Sequence, residues 1–177
     1  MRVLLLSGGL DSALILATRG PFDLALTFDY GQPHHAEVEA ARELARRFDV
    51  PHEVIKVTWA TPPTTGIMGG HDYSAGASVV PGRNVAFIAM AAMRGAKRVV
   101  LGCNRDDGYD YPDCRPKNLV HISSVCGVIV QSPLRYLTKA EVVSEAKKLR
   151  PALETVTCYR GGACGECAAC ALLKGAA

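Results

Sequence analysis

Val3-Leu4-Leu5-Leu6-Ser7-Gly8-Gly9-Leu10-Asp11-Ser12 passes from an apolar run, through two glycines flanked by hydroxyl side chains, into Ala13-Leu14-Ile15-Leu16-Ala17. A strand, a glycine turn and a helix in that order leave backbone N–H groups unpaired at the helix start, where the helix dipole also favours negative charge. The stretch predicts a buried first strand at residues 2–6 and an anion, most naturally a phosphate, at residues 7–12.

Outward from that loop the chain alternates strand and helix. The first helix is predicted from near Asp11 to about Arg19, where Gly20-Pro21 stops it. Residues 24–28 read as a second buried strand, followed by Asp29-Tyr30-Gly31-Gln32 and by Pro33 at a first helical position. Across 34–48, Val38, Ala41, Leu44, Ala45 and Phe48 recur at helical spacing with charged residues between them. A third strand at 53–57, a helix at 84–95 and a fourth strand at 98–102 follow. A polar loop at 103–116, a short segment at 117–126 and a fifth strand at 127–130 come next. Thr138 and Glu141 have capping-box spacing ahead of a last helix running to about Leu149, which Pro151 ends. Residues 58–82, rich in Pro and Gly and holding Trp59, are too long and irregular for an ordinary connection and read as a flexible lid.

Strands alternating with helices imply parallel pairing through right-handed crossovers, hence an α/β domain with a doubly wound, five-stranded parallel sheet. Ligands of such sheets bind beyond the carboxyl ends of the strands. The polar clusters at 7–12, 29–32, 81–84, 104–115 and 132–134 all fall at those ends.

A chain of 177 residues suits one complete core, and 49% hydrophobic with 21% charged residues excludes a disordered chain. The net charge of +3, with no block of Lys and Arg, gives no nucleic-acid footprint. No apolar run approaches the roughly 20 residues of a membrane span, and Met1-Arg2 opens directly into a strand without a cleavable leader, so a cytoplasmic location is expected.

Seven cysteines in a reducing compartment point to metal rather than disulfides where they cluster. Cys158, Cys164, Cys167 and Cys170 lie among Gly161, Gly162 and Gly165, and four thiolates on such a loop can enclose one tetrahedral ion. Zn²⁺ in a closed, structural site is the expected occupant, with an iron–sulfur cluster as the competitor. The expected organisation is a nucleotide-binding domain over 1–150 and a zinc-binding tail over 151–177 packed on it. Cys103, Cys114 and Cys126 lack ligand spacing and read as buried or incidental thiols.

The first loop is neither GxGxxG nor GxxxxGK[ST]. Ser7-Gly-Gly-Leu-Asp-Ser12 instead resembles the loop of the ATP pyrophosphatase (PP-loop) superfamily, which cleaves ATP between the α and β phosphates to adenylate a substrate. Thr27-Phe-Asp-Tyr-Gly-Gln32 with His34 and Ala36-Glu37, Val80-Pro-Gly-Arg-Asn84, Tyr111-Pro-Asp-Cys-Arg115, Ser132-Pro-Leu134 with Lys139-Ala-Glu141, and Thr157-Cys-Tyr159 leading to Cys170 together resemble the 7-cyano-7-deazaguanine synthase family. Two departures stand out: the chain is shorter than typical bacterial members between Arg115 and Ser132 and after Cys170, and Tyr109-Asp110 stands where Ser-Gly is common.

The resemblance implies an enzyme, a C–N ligase that converts 7-carboxy-7-deazaguanine and ammonia to the nitrile with ATP, through an adenylated acid and an amide. It further implies Mg²⁺, a homodimer, and no direct contact with nucleic acid. Residues Leu6, Ser7, Gly8, Gly9, Leu10, Asp11 and Ser12 would hold ATP, with Mg²⁺ between Asp11 and the phosphates. Arg83 and Lys139 would neutralise phosphate charge beside Asp11 and Ser12, or else be surface cations. Tyr30, Gln32, Asn84, Asp107, Asp113 and Arg115 would line the deazaguanine pocket. Asp107 and Asp113 also suit plain turns, and His34 is either a base towards ammonium or a capping histidine. Two rival readings are a tRNA-thiolating relative, which would need a sulfur-handling cysteine pair, and a repurposed deazaguanine-binding or defence protein, which would be expected to have lost Asp11 or Ser12.

Overall fold

Val3, Leu4 and Leu5 are buried whichever face they point to, which is the pattern of a strand covered on both sides. Their strand, β1 (Arg2–Leu5), takes the centre of the sheet in the computed structural model, which describes residues 1–32, 35–58, 79–149, 155, 164–166 and 170. The other strands are β2 (Leu24–Asp29), β3 (His52–Lys56), β4 (Arg98–Val100) and β5 (Ile129–Gln131). All five are parallel in the order β3-β2-β1-β4-β5, with Leu4 in register with Ala25 on one side and Val100 on the other.

The helices are α1 (Leu10–Arg19), α2 (His35–Arg47), α3 (Arg83–Met93), α4 (Asp107–Asp110), α5 (Pro116–Cys126) and α6 (Lys139–Lys148). Successive strand side chains face opposite ways, so β1 feeds two cores. Leu4 and Leu6 pack with Leu10, Leu14, Leu44, Val142 and Val143 of α1, α2 and α6. Val3 and Leu5 pack with Leu26, Ile88, Leu119 and Ile122, beneath α3 and α5. This is the doubly wound arrangement expected.

Boundaries shift by a residue or two, and one region differs in kind. The polar loop predicted at 103–116 contains the short α4 and a 3₁₀ turn at Pro112–Cys114. The segment at 117–126 is an eleven-residue helix, α5, begun by Pro116 in its first turn and ended by Gly127 in the left-handed conformation at φ 64°. With Gly127 used as that cap, β5 starts at Ile129 rather than at 127. The lid predicted at 58–82 lies mostly outside the described residues. Thr138 caps α6 as its spacing predicts: its Oγ1 accepts from Glu141 N at 3.2 Å while Glu141 Oε2 accepts from Thr138 N at 2.7 Å.

Candidate active site

From β1 the chain winds one way to β2 and β3, then crosses back to β4 and β5, so the switch in strand order falls between β1 and β4. The loops leaving those two strands meet there, and glycine allows the meeting. Gly8 has φ +81°, and a Cβ on it would lie 2.1 Å from the Glu37 carbonyl oxygen of α2. At Gly102, after β4, a Cβ would come within 3.0 Å of Asp11 Cβ and 3.2 Å of Ser12 N.

Gly9 is the N-cap of α1 and supplies no side-chain cap. The first backbone bond of the turn is Ala13 N to Gly9 O at 3.1 Å, and the N–H groups of Leu10, Asp11 and Ser12 find no acceptor among the described residues. The Ser12 hydroxyl, buried, closes the turn: it donates to Gly9 O at 3.0 Å and accepts from Ser7 N at 3.2 Å. It also meets the Ser7 hydroxyl at 3.1 Å, and Ser7 Oγ accepts from Gly9 N at 3.3 Å. Leu6, fully buried, anchors the loop through its N–H to Leu26 O at 2.8 Å.

Asp11 projects from the first turn of α1 onto Lys139, the first residue of α6, and the two carboxylate and ammonium groups form an ion pair with side chains only 19% and 13% exposed. Its other oxygen accepts from Asn104 Nδ2 at 3.1 Å. Asn104 is buried, and its own Oδ1 accepts from the N–H groups of Asp106 at 2.9 Å and Asp107 at 3.1 Å. Asp107 Oδ2 returns a bond to Asn104 N at 2.9 Å, and Asp106 Oδ2 accepts from Lys139 N at 2.8 Å. Burial, and then the neighbouring charge of Asp11, push the Asp107 carboxyl up to about 6, against the opposing pull of Asn104 N–H and Lys139. The Asp11 and Asp107 carboxylates offer hard oxygen ligands, and Mg²⁺ commonly takes only one or two carboxylates beside phosphate and water. The donor set therefore fits that ion.

A second group lies where β2 ends and α3 begins. Arg83 Nη1 donates to Tyr30 Oη at 3.3 Å, and Tyr30, buried, lies 5.7 Å from the Phe87 ring that stacks on Phe28 at 3.9 Å. Burial raises the Tyr30 hydroxyl above its ordinary range, and Arg83 opposes it. Burial also pushes the half-buried Glu37 carboxyl up to about 7, again with Arg83 opposing. Asp113 Oδ2 accepts from Asn84 N at 3.1 Å, giving the first turn of α3 the side-chain acceptor that its own cap, Gly82, lacks. Asn84 Nδ2 reaches Cys114 Sγ at 3.5 Å, and the buried Cys103 thiol donates to Cys114 at 2.9 Å, so these two cysteines are packed together rather than incidental.

Two expected pocket residues turn inward to the backbone. Gln32, buried, accepts from Tyr30 N at 2.8 Å and donates to Phe28 O at 3.2 Å, which shapes the turn after β2. Arg115 donates through Nε to Gly108 O at 2.9 Å and through Nη2 to Tyr109 O at 3.3 Å, tying down α4. Asn104 and Gly102 escape the sequence reading as site residues. The signal for Asn104 was the run Asn104-Arg105-Asp106-Asp107-Gly108 behind a buried strand, the composition of an Asx turn.

In the tail, Cys158, Cys167 and most neighbouring residues lie outside the described residues. Cys164 and Cys170 approach to 3.9 Å between sulfurs, close to the edge of about 3.8 Å that a tetrahedron with 2.3 Å metal–sulfur bonds requires. Glu166 N donates to Cys164 Sγ at 3.5 Å across Gly165 at φ +76°, so a turn already directs an N–H at the sulfur. These residues fit a thiolate-bound ion. Among the described residues no group of three or more His, Cys, Asp or Glu side chains gathers at metal-holding distance.

Comparison with known proteins agrees with this geometry. The family described as queuosine biosynthesis protein QueC matches residues 1–176. A 7-cyano-7-deazaguanine synthase 2 of Desulfitobacterium hafniense is 37% identical over 98% of this chain and 87% of its own. The 7-cyano-7-deazaguanine synthase of Coxiella burnetii is 35% identical, covering 97% and 90% respectively. Among solved structures, a U34-tRNA thiolase NcsA from Methanococcus maripaludis, with its [4Fe-4S] cluster, superposes with a TM-score of 0.57 at 15% identity, over 87% of this chain and 57% of that one. A predicted subunit of tRNA methyltransferase from Methanocaldococcus jannaschii superposes with a TM-score of 0.54 at 17% identity, over 82% and 73%. The structural likenesses establish the shared fold, and the match across nearly the whole sequence establishes that the chain belongs to the family of the queuosine biosynthesis protein QueC, the family of these synthase enzymes.

Proposed function

We propose that the protein uses ATP to convert 7-carboxy-7-deazaguanine and ammonia into 7-cyano-7-deazaguanine. The observation that carries the reading is the uncapped start of α1, whose free N–H groups lie beside the Asp11–Lys139 pair at the switch in strand order. A carboxylate is a poor electrophile until one oxygen becomes a leaving group. Attack of that oxygen on the α-phosphorus expels pyrophosphate, and the amides of Leu10, Asp11 and Ser12 with Lys139 are suited to hold the charge. Ammonia then displaces AMP and leaves an amide. A second adenylation lets the amide oxygen depart within AMP, giving the nitrile.

This chemistry needs no side-chain nucleophile, which agrees with a site made of backbone amides, paired charges and buried polar side chains. Asp11 and Asp107 would hold Mg²⁺, which neutralises phosphate charge. Tyr30, Arg83, Asn84 and Asp113 form the face offered to the deazaguanine, with Asp107 at its border to the nucleotide. Residues 151–177 form a tail on the 1–150 domain in which Cys158, Cys164, Cys167 and Cys170 hold a structural Zn²⁺. The protein acts in the cytoplasm as a homodimer and makes no direct contact with nucleic acid. No helix among the described residues is long and apolar enough to cross a membrane.

Purified protein supplied with 7-carboxy-7-deazaguanine, ATP, Mg²⁺ and ammonium should release pyrophosphate and form the nitrile by mass spectrometry. Formation of neither amide nor nitrile overturns the reading.

A further inference from the structure

We infer that Glu37 is the proton acceptor for the nitrogen substrate, taking a proton from ammonium so that neutral ammonia attacks the activated carboxylate. The inference deepens the ligase reading and rests on it.

Glu37 occupies the first turn of α2, and its backbone carbonyl lies directly against Gly8 of the nucleotide turn. Its side chain is in the electrostatic field of Arg83 from α3 and of Tyr30 from the end of β2, while Arg83 also feels Asp113 and Tyr111. Glu37 therefore sits between the turn that would hold ATP and the segment that would hold the deazaguanine, where the acyl carbon must be.

The other carboxylates around the site already have partners. Asp11 holds Asn104 and Lys139, Asp29 holds Gly31 N, Asp106 holds Lys139 N, Asp107 holds Asn104 N, and Asp113 holds Asn84 N. The Glu37 carboxyl accepts no hydrogen bond among the described residues, an arrangement that folding alone does not favour, because the attraction of Arg83 does not offset the cost of burying the charge. Burial holds it at about 7, so both protonation states are populated near neutral pH, as a general base requires.

Ammonium has no lone pair and predominates in neutral water. In the proposed step the Glu37 carboxylate removes one proton from ammonium, and the freed nitrogen lone pair forms the C–N bond. The bond from carbon to the AMP oxygen breaks, AMP leaves with that electron pair, and the second nitrogen proton passes to solvent. An anionic Glu37 also attracts the cation in the first place.

Hydroxylamine supplies the test, because it is neutral at pH 7.5 and attacks without prior deprotonation. Glu37→Gln should release pyrophosphate from ATP and 7-carboxy-7-deazaguanine in a single turnover at the wild-type rate. Its amide formation from ammonium at pH 7.5 should fall by about 100-fold, its hydroxamate formation from hydroxylamine should stay within about threefold of wild type, and its ammonium rate should climb with pH as free ammonia accumulates. Equal losses with both nucleophiles, or no loss with ammonium, overturn the assignment. So does the same nucleophile-selective loss in His34→Ala with Glu37 intact. If Glu37→Gln does not fold by circular dichroism, Glu37→Asp replaces it, and an ammonium-selective partial loss is then required. A wild type that makes neither amide nor hydroxamate while releasing no pyrophosphate refutes the ligase reading itself, a result distinct from any pattern confined to the variants.

Discussion

Gly8 and Asp11 show how narrow the tolerance is at single positions. Gly8→Ala forces a side chain into φ +81° and against the Glu37 carbonyl. We expect a loss of at least about 1–3 kcal/mol in thermal unfolding together with loss of nucleotide binding by calorimetry. Asp11→Asn leaves Lys139 without its counter-charge and should slow pyrophosphate release on the order of 100-fold while the fold persists; unchanged release would contradict the assigned role. The acidity of Asp107 has a separate consequence. Burial raises its carboxyl to about 6 from an ordinary value of 3.8, so the native state binds more protons than the unfolded chain between those values. Its contribution to stability is therefore greatest at low pH and declines as pH rises through about 6. Across pH 4.5 to 7.5, the melting temperature of ligand-free wild type minus that of Asp107→Asn should decrease; a difference that grows across this interval would show the opposite sign.

At the level of elements, α6 joins a cap to the site. Thr138 closes the capping box and the next residue is Lys139, so the cap fixes the direction from which the ammonium reaches Asp11. Thr138→Ala should cost about 1 kcal/mol, lowering the melting temperature by about 2–4 °C in a domain of this size and weakening ATP binding measurably. A variant as stable as wild type with unaltered affinity would separate the cap from the site. The capping box was legible because its partners are three residues apart. The strands were legible for a related reason, since Val3-Leu4-Leu5-Leu6 is apolar on both faces and only a covered strand explains that. Region 103–126 was not legible, because α4 is made by the Asn104 side chain and α5 shows little amphipathic contrast to set it apart. The same limit applies to the site. Ser7–Ser12 announces an anion locally, whereas Asp113 serving Asn84 and Asn104 serving Asp11 depend on chain segments 29 and 93 residues apart. Gln32 and Arg115 illustrate the converse, as polar residues in matched motifs whose side chains serve the backbone.

Over the whole molecule, two proposals extend past the sheet. Loss of one thiolate should empty the tail site, because the coordination energy of a structural metal is folding energy. Cys170→Ser should therefore lose bound zinc by elemental analysis and melt at lower temperature; retained zinc and unchanged melting would refute the structural assignment. Val120 and Val125 of α5 and Ile129 of β5 are exposed apolar side chains along one edge of the sheet, the kind of surface a second copy would cover. Light scattering should give twice the chain mass, and Val125→Asp should shift it towards the monomer; a wild-type monomer at micromolar concentration would remove the homodimer proposal. Finally, the contact between Asp11 and Lys139 spans 128 positions of the chain. During translation the glycine turn leaves the ribosome first, and the lysine that completes its charge balance is made only after the whole sheet has been synthesised. A nascent chain cannot acquire the nucleotide site piecemeal, so arrested or prematurely terminated products that end before α6 should be inert towards ATP and unable to drain it.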